Sequence, residues 1–298
     1  MRYSLALPAG DPSWLVDAAR GLEAAGIDAG FVTDHPAPDT RWLAGGGHHA
    51  LEPTVALAAA GAVTTTLRLH TNIYVLAYRN PFLAAKALAS VDVLSGGRLI
   101  MGVAAGYLRP EFDALGVPFE DRGQRLDESL RIIVSSWTGE VVVAEGDGWS
   151  ARGVLQRPAP ATLPPIWIGG NGANAIRRAA GFGHGWSPFP TTGPIAAATR
   201  TAPMSSVVEL AAGVERYRDA LDAAGHGELN PDVCFTPFGF DDYLDGSLPT
   251  EAIVEQIMEL EAAGVTWLAL TPTLSDRARY EHDVARIRDE LVTPGTLP

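Results

Sequence analysis

"GLEAAGIDAGFVTD" (residues 21–34) and "ELEAAGVTWLALTP" (residues 259–272) repeat one pattern near the two ends of the chain. Each closes an amphipathic helix at EAAG, where Gly26 or Gly264 can take the left-handed conformation that ends a helix. Each then enters an apolar run of strand length that finishes at a threonine and a polar or turn residue. A third helix, ending "ALDAAGHG", stops the same way at Gly225. Working outward from these units, short apolar strands are expected at RYSLALP, DAGFVTD, LRLHTNI, RLIMGVAA, PIWIGG, HGWSPF, DVCFTPFG and TWLALTP. Helices are expected from about Pro12, Glu52, Asn80, Glu120, Gly172, Ser206, Thr250 and Ser275. Eight strands alternating with eight helices describe a single (β/α)8 TIM-type barrel over residues 1–298. An open doubly wound sheet uses the same units. The like units at both termini favour closure, because first and last strands are then neighbours.

Two stretches interrupt the alternation. "TGEVVVAEGDGWSARGVLQRPAPATLPP" carries Gly146, Asp147 and Gly148 between short β-like runs and reads as a β-hairpin insertion before the fifth barrel strand. "FPTTGPIAAATRTAPMSS" (189–206) lacks periodicity and reads as a mobile loop.

Composition narrows the function. With 298 residues, 47% of them hydrophobic, the chain can bury a sizeable core, and 19% charged residues argue against disorder. A formal net charge of -13 argues against nonspecific nucleic-acid or anionic-membrane binding, both of which need basic surface. The single cysteine, Cys234, excludes an intramolecular disulfide and a thiolate metal cluster, and suits a reducing cytoplasm. No signal peptide or membrane span is expected. The only lysine, Lys86, sits in an expected helix and is a poor Schiff-base candidate.

A barrel places its site at the C-terminal ends of the strands. Those ends read Thr33-Asp34-His35, Thr71-Asn72, Gly106-Tyr107, Gly169-Gly170-Asn171-Gly172, Trp186-Ser187, Asp241 and Thr271. Glycines, aromatics and small polar groups in one place suit a flat, partly apolar ligand that carries a phosphate. In "IWIGGNGANAIRRAAG" the glycines let backbone N–H groups approach an anion at a helix start. His35 is the candidate proton-transfer residue, since imidazole exchanges protons near neutral pH, and Asp34 is placed to orient it. His48 and His49 with Asp34 or Glu52 raise a metal site, but no ligand spacing supports one and none is expected.

At these residues the chain resembles the bacterial luciferase-like monooxygenase superfamily, specifically its coenzyme F420-dependent oxidoreductases. The strongest block is "YRNPFLAAKALASVDVLSGGRLIMGVAAGYLRPEFDALG" (78–116). "VTDHP", "LEPTVALAAAGAVTTTLRLHTN" and "PPIWIGGNGANAIRRAAGFGHGW" add to it. The resemblance implies a bulge at the end of the third strand that pushes on the cofactor's ring from behind, often with a non-prolyl cis peptide. It maps onto Asn72 and Ile73. It also implies that Asp34 and His35 lie by the redox face and that Gly169, Gly170, Asn171 and Gly172 cradle phosphate. Trp186, Ser187 and Pro188 would flank the cofactor, and Arg98, at the opposite strand end, would be structural. Trp42, His49 and Tyr107 would line the substrate pocket.

The chain departs from the family's sugar-phosphate dehydrogenases. Tyr107 stands where those carry a catalytic glutamate, for which Glu111 could substitute if its loop folds inward. The phosphate-holding lysines have no counterpart. The expectation is a cytoplasmic oxidoreductase moving hydride between F420 and a small organic substrate, dimerising through its second and third helices. The alternatives are an FMN-dependent monooxygenase fed by a separate reductase, and a non-catalytic cofactor-binding paralogue.

Overall fold

The computed structural model describes residues 1–8, 11–182, 184–192, 196 and 201–292. Ten strands are formed among them: β1 (Arg2–Ala6), β2 (Ala29–Val32), β3 (Arg68–Val75), β4 (Leu99–Ala104), β5 (Val142–Gly146), β6 (Trp149–Val154), β7 (Ile166–Gly169), β8 (Gly185–Ser187), β9 (Asp232–Phe235) and β10 (Trp267–Leu270). Eight of them close a parallel barrel in the order β1-β10-β9-β8-β7-β4-β3-β2, and β5 and β6 form the separate antiparallel hairpin. Closure brings the two like units together, with Arg2 beside Trp267 and Leu5 beside Leu270. The doubly wound alternative is thereby excluded.

Among the described residues eight helices follow the barrel strands as expected: α1 (Leu15–Ala24), α3 (Pro53–Gly61), α4 (Pro81–Ser95), α6 (Arg122–Trp137), α7 (Ala173–Phe182), α8 (Val207–Ala223), α10 (Thr250–Ala262) and α11 (Arg277–Ile287). Their ends follow local chemistry. Asn80 caps α4 by accepting from Phe82 and Leu83 N–H, with Pro81 at the first helical position. Gly26, Gly225 and Gly264 take φ of 74°, 78° and 103°, and the residue after each donates back to Leu22, Leu221 and Leu260 carbonyls. Among the described residues three short helices were not expected from periodicity: α2 (Thr40–Ala44), α5 (Arg109–Leu115) and α9 (Phe240–Asp245). All three fall in loops at the strands' C-terminal ends, so they shape the site. The expected mobile loop at 189–206 lies partly outside the described residues, and a bridge pairs Thr191 with Met204. Among the described residues no helix is long and apolar enough to cross a membrane.

Strand residues alternate between two cores. Phe31, Trp167, Cys234, Trp267 and Ala269 pack inside the cylinder, while Val32, Ile166, Ile168, Leu268 and Leu270 pack outward against helices. Burial on both faces is why these strands read as apolar runs. His70 belongs to the inner set. It has no exposure, packs edge-on to Trp167 at 4.8 Å, and places Nδ1 3.0 Å from Ser4 Oγ. Burial lowers its pKa to about 3, so the ring is neutral. At the barrel's other end Arg98 donates to the Gly61, Thr64 and Leu67 carbonyls, tying down the loop into β3. The hairpin is fastened to α4: Lys86 donates to Arg157 O, and Gln156 to Phe82 O.

Candidate active site

The site grows from an irregularity in β3. Its pairing with β4 runs regularly to Thr71 and Met101, slips, and resumes at Tyr74 and Val103. The Asn72–Ile73 peptide inside the slip is cis. Both side chains face a cavity of about 460 Å³ at the barrel mouth, within the range of small-molecule sites. Val75, Ala104, Ala105, Phe235 and Ala269 give the cavity apolar walls. Gly169 makes room for the slip, since a Cβ there would lie 2.1 Å from Ile73 Cδ1.

His35 enters the same cavity from the end of β2. Its ring lies against Trp42 (centroids 4.3 Å apart, planes 37°) and meets His48 edge-on at 5.1 Å. Its Nδ1 is 3.4 Å from Glu111 Oε2 and has no hydrogen-bond partner among the described residues. Glu111 is fully buried, because α5 turns the loop after β4 inward. The carboxylate accepts from Tyr78 Oη at 2.6 Å and from Ala37 N–H at 3.3 Å. Burial, then the bond to Glu111, pushes the Tyr78 phenol pKa upward, so it stays a donor.

Asp34 lines the cavity beside His35, but its bonds go elsewhere. Its carboxylate takes both guanidinium nitrogens of Arg79, at 2.6 and 2.8 Å, and the Val75 N–H at 2.8 Å. Burial raises the carboxyl pKa against the opposing pull of Arg79. This pair joins the end of β2 to the segment after β3, and the guanidinium covers the Tyr74 ring at 4.0 Å. Asp34 therefore anchors the bulge, and the bonds of its carboxylate go to Arg79 and Val75.

The glycine turn is only partly open. Gly169 and Gly170 line the cavity, as do Ser187 and Pro188. The Gly170 N–H donates to Ser187 O at 3.2 Å, and the Asn171 N–H to Thr201 Oγ1 at 3.1 Å. The Asn171 side chain is buried and binds the Phe189 backbone, Thr191 Oγ1 and Ala202 O, holding the following loop. Trp186 sits behind the turn, donating to Gly170 O at 2.8 Å. Gly172 and His49 lie outside the cavity wall, and Trp42 stands behind it, packed against His35 and His48, while Tyr107 is in the wall.

Sequence reading missed Tyr78, Arg79, His48 as a wall residue, Phe189 and Thr201. The signal for Arg79 was a charge directly after a buried strand, which needs a buried partner. Among the described residues no group of three or more His, Cys, Asp or Glu side chains could hold a metal. An apolar slot with a bulge in one wall, small residues in others and the His35 ring at its side fits a planar ring system.

Residues 4–239 match the luciferase-like monooxygenase family, and the chain belongs to it. It is 33% identical over 200 residues to an uncharacterized protein of Mycobacterium tuberculosis, covering 62% of this chain and 69% of that one. An F420-dependent glucose-6-phosphate dehydrogenase of Gordonia bronchialis is 30% identical over 217 residues, 71% of this chain and 62% of the relative, so less than two thirds of that relative is matched. Among solved structures, an F420-dependent secondary alcohol dehydrogenase in complex with an F420-acetone adduct shares the fold at TM-score 0.78 and 14% identity, covering 99% of both chains. The oxygenating constituent of 3,6-diketocamphane monooxygenase from Pseudomonas putida, in complex with FMN, does so at TM-score 0.75 and 18% identity, over 100% of this chain and 99% of that one.

Proposed function

We propose that this chain is an F420-dependent oxidoreductase acting on a small organic molecule. The observation that carries the reading is the Asn72–Ile73 bulge and His35 facing one apolar cavity. When bound, deazaflavin supplies a carbon that gives or takes hydride. Ile73 would back the ring, and Gly169 leaves the space that lets it do so. His35 manages the accompanying proton at Nε2, while Glu111 faces Nδ1 and Tyr78 holds Glu111 in place. The stack on Trp42 keeps the imidazole from turning. Ser187, Pro188 and the turn at Gly169 and Gly170 flank the cofactor, and the engaged amides there leave its tail to be held partly by side chains such as Thr201.

Titration with deazaflavin and with FMN decides the cofactor. Preferential tight binding of FMN would shift the reading to a reduced-flavin monooxygenase supplied by a separate reductase, which the family relationship supports. Binding without turnover across carbonyl, imine and activated-alkene substrates would indicate a non-catalytic paralogue.

The chain is further proposed to work as a cytoplasmic homodimer. Val55 on α3 and Leu83 and Leu94 on α4 are 69%, 71% and 76% exposed, an apolar surface of the kind that marks an interface. A monomeric mass in light scattering would refute the dimer.

A further inference from the structure

A second cavity, of about 580 Å³, adjoins the first. Thr33 and His48 belong to the walls of both. The 2.9 Å bond between Thr33 Oγ1 and His48 Nε2 therefore lies on their shared boundary. Leu7 and Phe31 from the strand ends, with Leu244 of α9 and Leu274 after β10, make much of its wall apolar.

Its charged groups are few and unevenly placed. Arg279 is the only arginine or lysine among the described residues of the wall. That guanidinium is already committed: Nε lies 3.0 Å from Oδ1 of the fully buried Asp283, and Nη2 donates to Leu244 O at 2.6 Å. Asp241 and Asp245 also line the cavity, and both are exposed to solvent.

Resting on the oxidoreductase reading above, we propose that this second cavity is the substrate chamber and that it accepts an uncharged, largely apolar molecule. An anion entering it would leave water for a wall whose one arginine is already paired with Asp283, and the two exposed carboxylates add only a weak repulsion. A cation would gain little from those carboxylates, because exposed pairs are weak and screened. Beyond them it would leave water for the same aliphatic and aromatic surface. An uncharged apolar molecule loses neither way and is favoured by leaving water. The shared wall would set it against His48, whose ring is 5.1 Å from that of His35. Burial, with His35 and His49 nearby, lowers the His48 pKa, so no persistent positive charge is offered to an anion there either. The glucose-6-phosphate dehydrogenase relative acts on a phosphate ester; this chamber is unsuited to one.

The test uses two probes with one skeleton, N-phenyl-1-naphthylamine and its sulfonate 8-anilino-1-naphthalenesulfonate. Equilibrium dialysis measures each on the full chain, with and without saturating deazaflavin. The uncharged probe is expected to bind about tenfold or more tighter than the sulfonate and to stay bound with deazaflavin present. Ser275→Trp, at the exposed rim, should weaken it by a similar factor, and the Asp241→Lys, Asp245→Lys double variant should narrow the gap between probes. Equal affinities, no binding of the uncharged probe, its displacement by deazaflavin, or indifference to Ser275→Trp would each overturn the proposal. Failure of deazaflavin and FMN to bind would instead remove the oxidoreductase reading. The probe pair on the ligand-free chain still decides the chamber's charge preference.

Discussion

Glu111 meets His35 Nδ1 and Tyr78 Oη in a space closed to water. A carboxylate held there favours the tautomer with its proton on Nδ1, leaving Nε2 for the cavity. His35→Ala should lower kcat about 100-fold or more while leaving deazaflavin affinity nearly unchanged. Full turnover in that variant, measured on an identified substrate, would remove the histidine from the chemistry. Glu111→Gln acts through the histidine, so it should lower kcat by roughly tenfold, about 1.4 kcal/mol, by removing the charge 3.4 Å from Nδ1, with KM unaltered. An increase in KM alone would reassign Glu111 to substrate contact. His35 could be read from the string VTDHP because it follows a strand. Its partner could not, because the pair is 76 residues apart and only α5 turns Glu111 inward.

At the scale of the element, the end of β3 depends on two neighbours. The Asp34–Arg79 pair anchors it, and Asp34→Asn would leave a partly buried guanidinium with only the more exposed Glu52 as a charge partner, 3.6 Å away. The expected cost is about 3–5 kcal/mol, read from the urea midpoint. A loss under about 1 kcal/mol would place the pair with ordinary surface bridges. Gly169 supplies space: Gly169→Ala puts a methyl 2.1 Å from Ile73 Cδ1 and must displace that side chain. Ile73→Ala removes the backing altogether and should weaken deazaflavin binding by ~1–2 kcal/mol, roughly tenfold in Kd. Fluorescence titration checks both variants, and unchanged affinity in each would mean that the ring lies elsewhere. The place of the bulge came from family likeness at Asn72 and Ile73; its dependence on Gly169 came from packing across β4 and β7.

For the whole molecule, the neutral histidine inside the cylinder couples stability to acidity. His70 binds a proton near 6.5 when unfolded and only near 3 when folded. Its favourable contribution is therefore complete above pH 6.5 and is lost as pH falls from there toward 3. Between pH 6.5 and 5, stability should drop by up to ~1.4 kcal/mol per unit on this account. His70→Gln should flatten that slope relative to the parent chain in urea denaturation at pH 7, 6 and 5. Equal slopes would mean that another group governs the acid limb.

The order of the strands and of the eight main helices and the hairpin's place were decided by the sequence alone, while the β1–β10 pairing decided closure over a doubly wound sheet. The former rest on local signals: apolar runs, caps, and EAAG helix ends read within a few residues. The partners of His35 and Asp34, the inward turn of Glu111, and the second cavity behind Thr33 and His48 were decided only by tertiary structure. These join residues far apart in the chain, through short loop helices whose few side chains carry no periodic signal. A buried charge announces that it needs a partner, but only the folded barrel determines which one it meets.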